Sequence, residues 1–292
     1  MERVVVIAGD DVEPLDPRFD GGITSYLVDG DIGPIAYRRF GEETAPAVVI
    51  THAVPLSSLA WVNVMPYFAD YGLQVFALDL PGSGGTQPAA SPLDLDGYAR
   101  ALEAFVDAIG FDVVHLVGHA THAATALRFS VRHPGRVRRL VLSKTPFLDE
   151  ASRRRFAGTD PGLYRADLPF PSREHWSPVP QLDDDRFDLL VRRMRFDIGR
   201  AGPRWIEGYQ ALAEYDLEAD LRRLRIPCRL VWGELDQFVA HRDAMVEAAG
   251  NVEVAIVAGA SAWPMYERPR GWTAAVAEFL TSPVGSFAAG SA

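Results

Sequence analysis

The sequence predicts an α/β protein with a mostly parallel sheet of eight strands and helices on both faces. Two observations lead to this fold class. Short apolar runs rich in valine and leucine alternate with amphipathic segments of helical spacing, which is typical of parallel sheets. The alternation stops between residues 146 and 222, where helical periodicity continues without a strand pattern. This stretch indicates an inserted helical cap.

A hairpin precedes the alternating part of the chain. Residues 23–29 and 34–40 have the pattern of two strands, and Asp29-Gly-Asp between them is a turn signal. The next six strands are predicted at 47–51, 74–78, 112–117, 137–143, 229–233 and 252–257. The helices of the core are predicted at 59–71, 94–109, 121–133, 241–249 and 271–280.

The chain is therefore predicted to have three parts. Residues 1–145 form the first part of the core, residues 146–222 the helical cap, and residues 223–292 the second part of the core. Ligands of parallel sheets bind at the carboxyl ends of the strands. Because the cap is inserted at that end of the sheet, the ligand pocket is expected between the core and the cap.

Composition restricts the classes of function. Of the 292 residues, 48% are apolar and 23% are charged, which is ordinary for a globular protein. The net charge of −10 disfavours binding to nucleic acid, which requires a basic surface. No run approaches the roughly 20 apolar residues of a membrane span, and Val4-Val-Val-Ile-Ala8 is too short for a signal peptide. The single cysteine, Cys228, is typical of a cytoplasmic protein. We further expect a monomer or a homodimer that acts on a small molecule.

Residues Gly118-His-Ala-Thr-His122 lie where a predicted strand turns into a helix. A sharp turn of this kind with the sequence Gly-x-Ser-x-Gly is the nucleophile elbow of the α/β-hydrolases. Four more motifs resemble those of that family, in the same order: Thr51-His-Ala-Val-Pro55, Asp79-Leu-Pro-Gly-Ser-Gly-Gly-Thr86, Gly233-Glu-Leu-Asp236 and Gly259-Ala-Ser-Ala-Trp-Pro-Met-Tyr-Glu-Arg-Pro269. From about residue 23 to residue 281 the chain thus resembles the α/β-hydrolase fold superfamily, which includes epoxide hydrolases, haloalkane dehalogenases, esterases and cofactor-independent oxygenases.

The sequence departs from this family at two of the three catalytic positions that the resemblance implies. Ala120 occupies the nucleophile position and Ala262 the histidine position, so that only the acid, Asp236, remains. A methyl group can neither attack a carbonyl nor carry a proton, which excludes hydrolysis through an acyl-enzyme. His122 and Ser261 also replace glycines of the family's motifs, which favours natural divergence over an engineered inactive variant.

Two backbone donors and two side chains are predicted to carry the remaining chemistry. The resemblance implies an oxyanion hole made by the N–H groups of Val54 and Thr121, neither of which depends on the lost side chains. Asp236 is interpreted either as a general acid or base with a raised pKa or as a structural carboxylate of its turn. His122 is interpreted either as a displaced acid–base group or as a ring packed under the elbow.

Further residues are candidates for binding the substrate. Lys144 is the only lysine in the chain, and it either binds an anion, forms a Schiff base or is a solvated lysine at a strand end. The aromatic residues either line an apolar pocket or pack the cap, and His52 is expected to hold the oxyanion turn. The full set of predicted substrate-binding residues is His52, Trp61, Ala120, Lys144, Trp176, Trp205, Tyr209, Ala262 and Trp263. No phosphate-binding or dinucleotide-binding glycine motif and no metal-spaced cluster is found, so neither a cofactor nor a metal is predicted.

These observations predict a triad-less enzyme of this fold that is not a hydrolase. Its substrate would be a bulky apolar or aromatic small molecule, in natural-product biosynthesis. The candidate reactions are cofactor-free oxygenation, C–C bond formation or cyclisation, and decarboxylation, with the family's cofactor-independent oxygenases as the precedent. Two alternatives remain open: a non-catalytic binding protein, and a hydrolase whose substrate assists its own cleavage.

Overall fold

The computed structural model describes residues 4–7, 24–30, 33–164 and 184–283, and the described strands form one sheet of nine. The strands are β1 (Val4–Ile7), β2 (Thr24–Gly30), β3 (Gly33–Phe40), β4 (Ala47–Ile50), β5 (Gln74–Leu78), β6 (Val114–His119), β7 (Val137–Ser143), β8 (Cys228–Gly233) and β9 (Glu253–Val257). Their order across the sheet is β1-β9-β8-β7-β6-β4-β5-β3-β2. Of these strands, β3 alone runs in the opposite direction, since it pairs antiparallel with both β2 and β5, so the predicted mostly parallel sheet is confirmed.

Helices cover both faces of the sheet, as predicted. They are α1 (Met65–Ala69), α2 (Leu95–Ala108), α3 (Ala123–Arg132), α4 (Glu150–Ala157), α5 (Asp184–Ala201), α6 (Glu207–Glu214), α7 (Leu217–Arg223), α8 (Arg242–Ala249), α9 (Pro264–Glu267) and α10 (Pro269–Thr281). None of these described helices combines the length and the apolar character that a membrane crossing requires.

The central strands are buried on both faces, which explains why their sequences are continuous apolar runs. In β4, Val48 and Ile50 belong to one apolar layer, and Ala47 and Val49 belong to the other. Helices α1, α5 and α10 contribute to the first layer, and α2, α3 and α8 contribute to the second. The sheet is thus fixed from both sides, and its strand ends form a rigid base for a site.

Two elements differ from those that the sequence predicts. The sheet has one strand more than the eight predicted, because β1 pairs in parallel with β9, with Val4 opposite Val254. The helix predicted at 59–71 is divided into a 3-10 turn, Ser58–Trp61, and α1. Pro66 explains the division, since proline is tolerated in the first turn of a helix but disrupts its interior.

The predicted cap contains helices α4 to α7 and, in its described part, no strand. Helix α4 packs against α6, whereas α7 packs against α3 and α8. Residues 165–183, among them the predicted pocket residue Trp176, lie outside the described part of the chain. The division into core and cap at residues 145 and 222 stays a prediction.

Strand β6 passes into α3 through one 3-10 turn, Ala120–His122. A Cβ atom on Gly118 would lie 2.7 Å from the Cα of Ala123 and 2.7 Å from the Cβ of Ala126. Only glycine therefore allows α3 to approach the end of the strand this closely. The position of Ala120 at the apex of the turn depends on that approach.

We expect Gly118→Ala to lower the free energy of unfolding by about 1–3 kcal/mol, the usual cost of an extra methyl group in a packed interior. Gly135→Ala is the matched control, because a Cβ atom there meets nothing within 4 Å. Urea unfolding of both variants measures the difference. Equal stability of the two variants would contradict the prediction and show that the turn relaxes around the added methyl group.

Candidate active site at the carboxyl ends of the strands

Ala120 and Lys144 are the two non-glycine residues with a positive φ in the described part of the chain, at 48° and 50°. His119 pairs with Ser143 in the register of β6 and β7, so the residues that follow them leave the sheet side by side. A left-handed backbone costs a residue with a side chain about 1–2 kcal/mol. Such strain is concentrated at functional sites, and here both instances lie at the ligand end of adjacent strands.

Lys144 is buried, with 8% of its surface exposed. Its backbone N–H donates to the carbonyl of Val231 over 2.8 Å, which holds the turn against β8. The ammonium nitrogen lies 4.6 Å from the ring centroid of Trp263 and 5.8 Å from that of Phe238. It donates no hydrogen bond within the described chain.

Burial lowers the pKa of Lys144, and the nearby carboxyl groups of Asp236 and Glu267 oppose the shift. The sequence-based alternative of a solvated lysine is therefore wrong.

Asp236 caps the 3-10 turn that follows β8. Its Oδ1 accepts a hydrogen bond of 2.9 Å from the N–H of Phe238, whereas its Oδ2 is buried and has no hydrogen-bond partner. Burial raises the pKa of Asp236, which the charge of Lys144 and the Phe238 hydrogen bond oppose. One oxygen of Asp236 is therefore held by its turn and the other is unpartnered, and the acid–base role of this residue stays a prediction.

Glu267 holds the turn that carries Ala262, a role that the sequence did not indicate. Its carboxylate accepts hydrogen bonds from the Ser261 hydroxyl at 2.6 Å, from the Trp263 N–H at 3.1 Å and from the Ser261 N–H. Burial raises the pKa of Glu267, and these hydrogen bonds oppose the shift. With three donors of the turn directed to Glu267, this carboxylate is structural, and Ala262 is half-buried.

The imidazole of His52 connects the turn Thr51–Pro55, which the resemblance implies to be the oxyanion turn, to Leu80. The N–H of Leu80 donates to Nε2 of His52 over 3.1 Å, so the proton of the ring lies on Nδ1, which donates to the carbonyl of Ala53 over 3.0 Å. Burial lowers the pKa of His52, so the ring stays neutral. The N–H groups of Val54 and Thr121 donate to no residue in the described part of the chain.

Helix α6 lies directly over the oxyanion turn. The hydroxyl of Tyr209 donates to the carbonyl of Val54 over 2.9 Å. A Cβ atom on Gly208 would lie 2.6 Å from Cγ2 of Val54 and 3.4 Å from Cε1 of His122. The sequence suggested aromatic residues such as Tyr209 but not Gly208, because the close approach becomes visible only when α6 is placed.

His122 is a packed side chain. Its ring contacts those of His52 and Tyr98, with centroid distances of 5.2 and 5.0 Å, and its Nδ1 shares a hydrogen bond of 3.1 Å with the hydroxyl of Thr125. Burial lowers the pKa of His122 well below its usual value. These contacts match the packed interpretation of His122 and leave it no described contact with Asp236.

The predicted aromatic residues Trp61 and Trp205 are buried and have packing contacts. Trp61 has no exposed surface and stacks on Trp272 at a centroid distance of 5.2 Å, so it offers no surface to a ligand. Its ring also meets the edge of His119, whose Nδ1 bonds the hydroxyl of Ser143. Trp205 is 4% exposed and donates from its indole N–H to the carbonyl of Pro161 over 3.1 Å.

A family model described as the alpha/beta hydrolase fold matches residues 46–269. The chain belongs to the α/β-hydrolase fold family. A non-heme chloroperoxidase from Streptomyces lividans is 26% identical over 246 residues, which are 74% of this chain and 83% of that protein. The polyketide synthase ThaQ from Burkholderia thailandensis is 29% identical over 235 residues, which are 75% of this chain and 11% of the synthase.

Solved structures show the same fold. The enol-lactonase from Burkholderia xenovorans LB400 has a TM-score of 0.72 at 17% identity and covers 88% of this chain and 100% of its own. The bromoperoxidase from Bacillus anthracis has a TM-score of 0.71 at 19% identity, with coverage of 89% and 100%. At these sequence identities the structural similarity establishes the fold alone, and the chemistry has to be inferred from the residues of the site.

The candidate site of this α/β-hydrolase-fold protein thus combines Asp236 with an unpartnered oxygen, a buried amine on Lys144, and two backbone donors at Val54 and Thr121. Among the described residues, no group of three or more histidine, cysteine, aspartate or glutamate side chains is arranged to hold a metal ion.

We expect Gly208→Ala to lower the free energy of unfolding by about 1–3 kcal/mol, because the added methyl group overlaps Val54 and displaces α6 from the oxyanion turn. Gly199→Ala in α5 is the control, since a Cβ atom there meets nothing within 4 Å. In a helix, that control is expected to be neutral or to stabilise by up to about 1 kcal/mol. Thermal unfolding of the pair measures both effects, and a Gly208→Ala variant as stable as the control would contradict the contact.

Proposed function

We propose that the protein is a non-hydrolytic enzyme that acts on a bulky, apolar or aromatic small molecule. The reaction class is natural-product tailoring by cofactor-free oxygenation, by C–C bond formation or cyclisation, or by decarboxylation. The observation that carries the proposal is the buried, unpartnered Oδ2 of Asp236 in a site that has no nucleophilic hydroxyl at Ala120 and no imidazole at Ala262.

A buried carboxyl group with a raised pKa is suited to proton transfer near neutral pH. In the proposed mechanism, the ionised Asp236 removes an acidic C–H or O–H proton of the substrate. The N–H groups of Val54 and Thr121 then stabilise the anion that forms. Each such donor contributes about 3–4 kcal/mol when the charge develops in a site that excludes water. The electron-rich anion supplies the reactivity, so that no enzyme nucleophile is needed.

Two relatives support the class of reaction. The name of the non-heme chloroperoxidase from Streptomyces lividans describes a reaction that is not hydrolysis. The polyketide synthase ThaQ matches this chain over a segment, which supports a substrate of polyketide type. Because folds host many activities, the proposal depends on Asp236 and the two donors more than on these names.

We expect the wild-type protein to hydrolyse p-nitrophenyl acetate no faster than an equal amount of heat-inactivated protein. The double variant Ala120→Ser, Ala262→His restores a hydroxyl at the left-handed apex and an imidazole on the turn facing Asp236, and it should gain measurable ester hydrolysis. The single variants are the controls, since each lacks one member of the triad. Hydrolysis by the wild type, retained in Asp236→Asn, would instead favour a hydrolase whose substrate assists its own cleavage.

We expect Asp236→Asn to lower turnover by a factor on the order of 10² or more, the usual contribution of a general base. The measurement is product formation by mass spectrometry on a panel of polyphenols and aryl β-keto acids, with and without dioxygen. Wild-type activity should rise with pH through the raised pKa of Asp236, because only the ionised form accepts a proton, and the variant should lose this rise.

Glu247→Gln on the exposed side of α8 is the control for the loss of one carboxylate. It should leave turnover unchanged. Saturable binding of a panel compound with no product under either atmosphere would contradict the proposal and support a non-catalytic binding protein.

A further inference from the structure

We propose that Lys144 is an amine nucleophile that forms a Schiff base with an aryl ketone or an aryl β-dicarbonyl compound. This names a substrate class and a further catalytic residue for the same site, and it rests on the proposed function only for the location of the ligand. Four features carry it: the position, the backbone, the surroundings and the absence of a charge partner.

The position is set by the sheet. His119 and Ser143 are register partners, so Lys144 leaves the end of β7 beside the point where Ala120 leaves β6. Ala120 is 7% exposed, and its side chain is a single methyl group. A ligand that lies over Ala120 therefore lies within reach of the Lys144 side chain.

The backbone of Lys144 is held in an unfavourable conformation. Its φ of 50° costs a residue with a long side chain free energy that an unconstrained strand end would avoid. The hydrogen bond from the Lys144 N–H to Val231 keeps this conformation. Its consequence is that the side chain turns inward over Trp263 and not out to solvent.

The surroundings of the amine are aromatic. The faces of Trp263 and Phe238 lie next to the nitrogen, and the groups that titrate nearby are Asp236, Glu267 and His119. Rings of this kind suit a flat aromatic ligand. A buried amine among them is more readily neutral, and the neutral amine is the nucleophile.

A lysine kept for structure at a buried position normally pairs with a carboxylate. The ammonium group of Lys144 makes no ion pair and no hydrogen bond in the described part of the chain. The nearby Glu267 is already occupied by Ser261 and Trp263, and Oδ2 of Asp236 is itself without a partner. Amine and carboxylate thus lie near each other with their reactive atoms free, as a nucleophile and a proton-transfer group would.

The proposed step balances without an oxidant or a reductant. The lone pair of the Lys144 nitrogen attacks the carbonyl carbon and forms a C–N bond. The nitrogen gives up one of its two protons, the carbonyl oxygen takes up that proton and a second one that comes from the solvent and leaves as water, and a protonated C=N bond, the iminium, remains. Asp236 accepts and returns the protons. The resulting iminium withdraws electrons from the adjacent carbon, so that loss of a proton or of carbon dioxide there gives an enamine able to form a C–C bond.

The test uses benzoylacetone, an aryl β-diketone that condenses with a neutral lysine amine to a stable enaminone with near-ultraviolet absorbance. We expect one equivalent of adduct on the wild-type protein at neutral pH, with the mass of the diketone less one water. Because Lys144 is the only lysine in the chain, peptide mapping has just the α-amino group as a second amine site to separate.

Lys144→Arg keeps the positive charge and cannot form the adduct, so we expect adduct formation to fall by at least about tenfold. Lys144→Met removes the charge as well as the amine, and we expect the same fall in adduct formation. Near-ultraviolet circular dichroism confirms that both variants are folded. Adduct formation in the wild type should decline as the pH falls through the lowered pKa of Lys144, as the amine becomes protonated.

The absence of an adduct on the wild type, an adduct on the α-amino group only, or equal adduct in Lys144→Arg would each overturn the proposal. The adduct forms without turnover, so the two proposals fail separately. Turnover that depends on Asp236 without an adduct would retain the proposed function and remove the Schiff base. An adduct without turnover of any panel compound would retain the Schiff base and remove the proposed function.

Discussion

The close packing of Gly118 against α3 determines how the chain leaves β6 at the candidate site. Since the approach of Ala123 and Ala126 leaves no room for a Cβ atom, the chain can leave β6 only through a tight turn. That turn places Ala120 in the left-handed region and frees the N–H of Thr121 from the hydrogen bonds of the sheet and the helix. The pairing of β6 with β7 then brings Lys144 to the same edge. The steric constraint at Gly118 thus positions the Thr121 donor, and the strand pairing places the amine of Lys144 at the same edge.

Two buried carboxyl groups at this edge have different hydrogen bonding, and the difference separates structure from chemistry. Burial raises the pKa of both Asp236 and Glu267. Glu267 receives three hydrogen bonds, from the two donors of Ser261 and from the N–H of Trp263, which accounts for its presence in the core. Asp236 receives one, and its second oxygen is left without a partner. A buried oxygen without a donor costs stability, and such a cost is characteristic of groups retained for a reaction.

Much of the fold follows from the sequence because it depends on local pattern. The continuous apolar runs predicted eight strands, and all eight are present. β1 was missed because its four residues carry no flanking pattern and its partner, β9, lies near the other end of the chain.

At the site, Asp236 and Lys144 were recognisable as residues at strand ends. The burial of Lys144, the fit of Gly208 against Val54 and the packing of Trp272 under Trp61 depend on contacts remote in sequence, which no local pattern encodes.

An alanine at position 262 and a buried lysine at position 144 are physically compatible, whereas an imidazole at position 262 would compete with the lysine for the same carboxylate. In a Ser-His-Asp triad the carboxylate stabilises the imidazolium that forms during the reaction. An ammonium group beside the same carboxylate would compete for it and oppose protonation of the ring. With Ala262 in place, Asp236 has one cationic neighbour among the described residues that contribute to its pKa, and that neighbour is Lys144. The site thus contains an amine and a carboxylate, without a hydroxyl at Ala120 or an imidazole at Ala262. Such a pair is unsuited to acyl transfer and suited to reactions of carbonyl compounds through nitrogen.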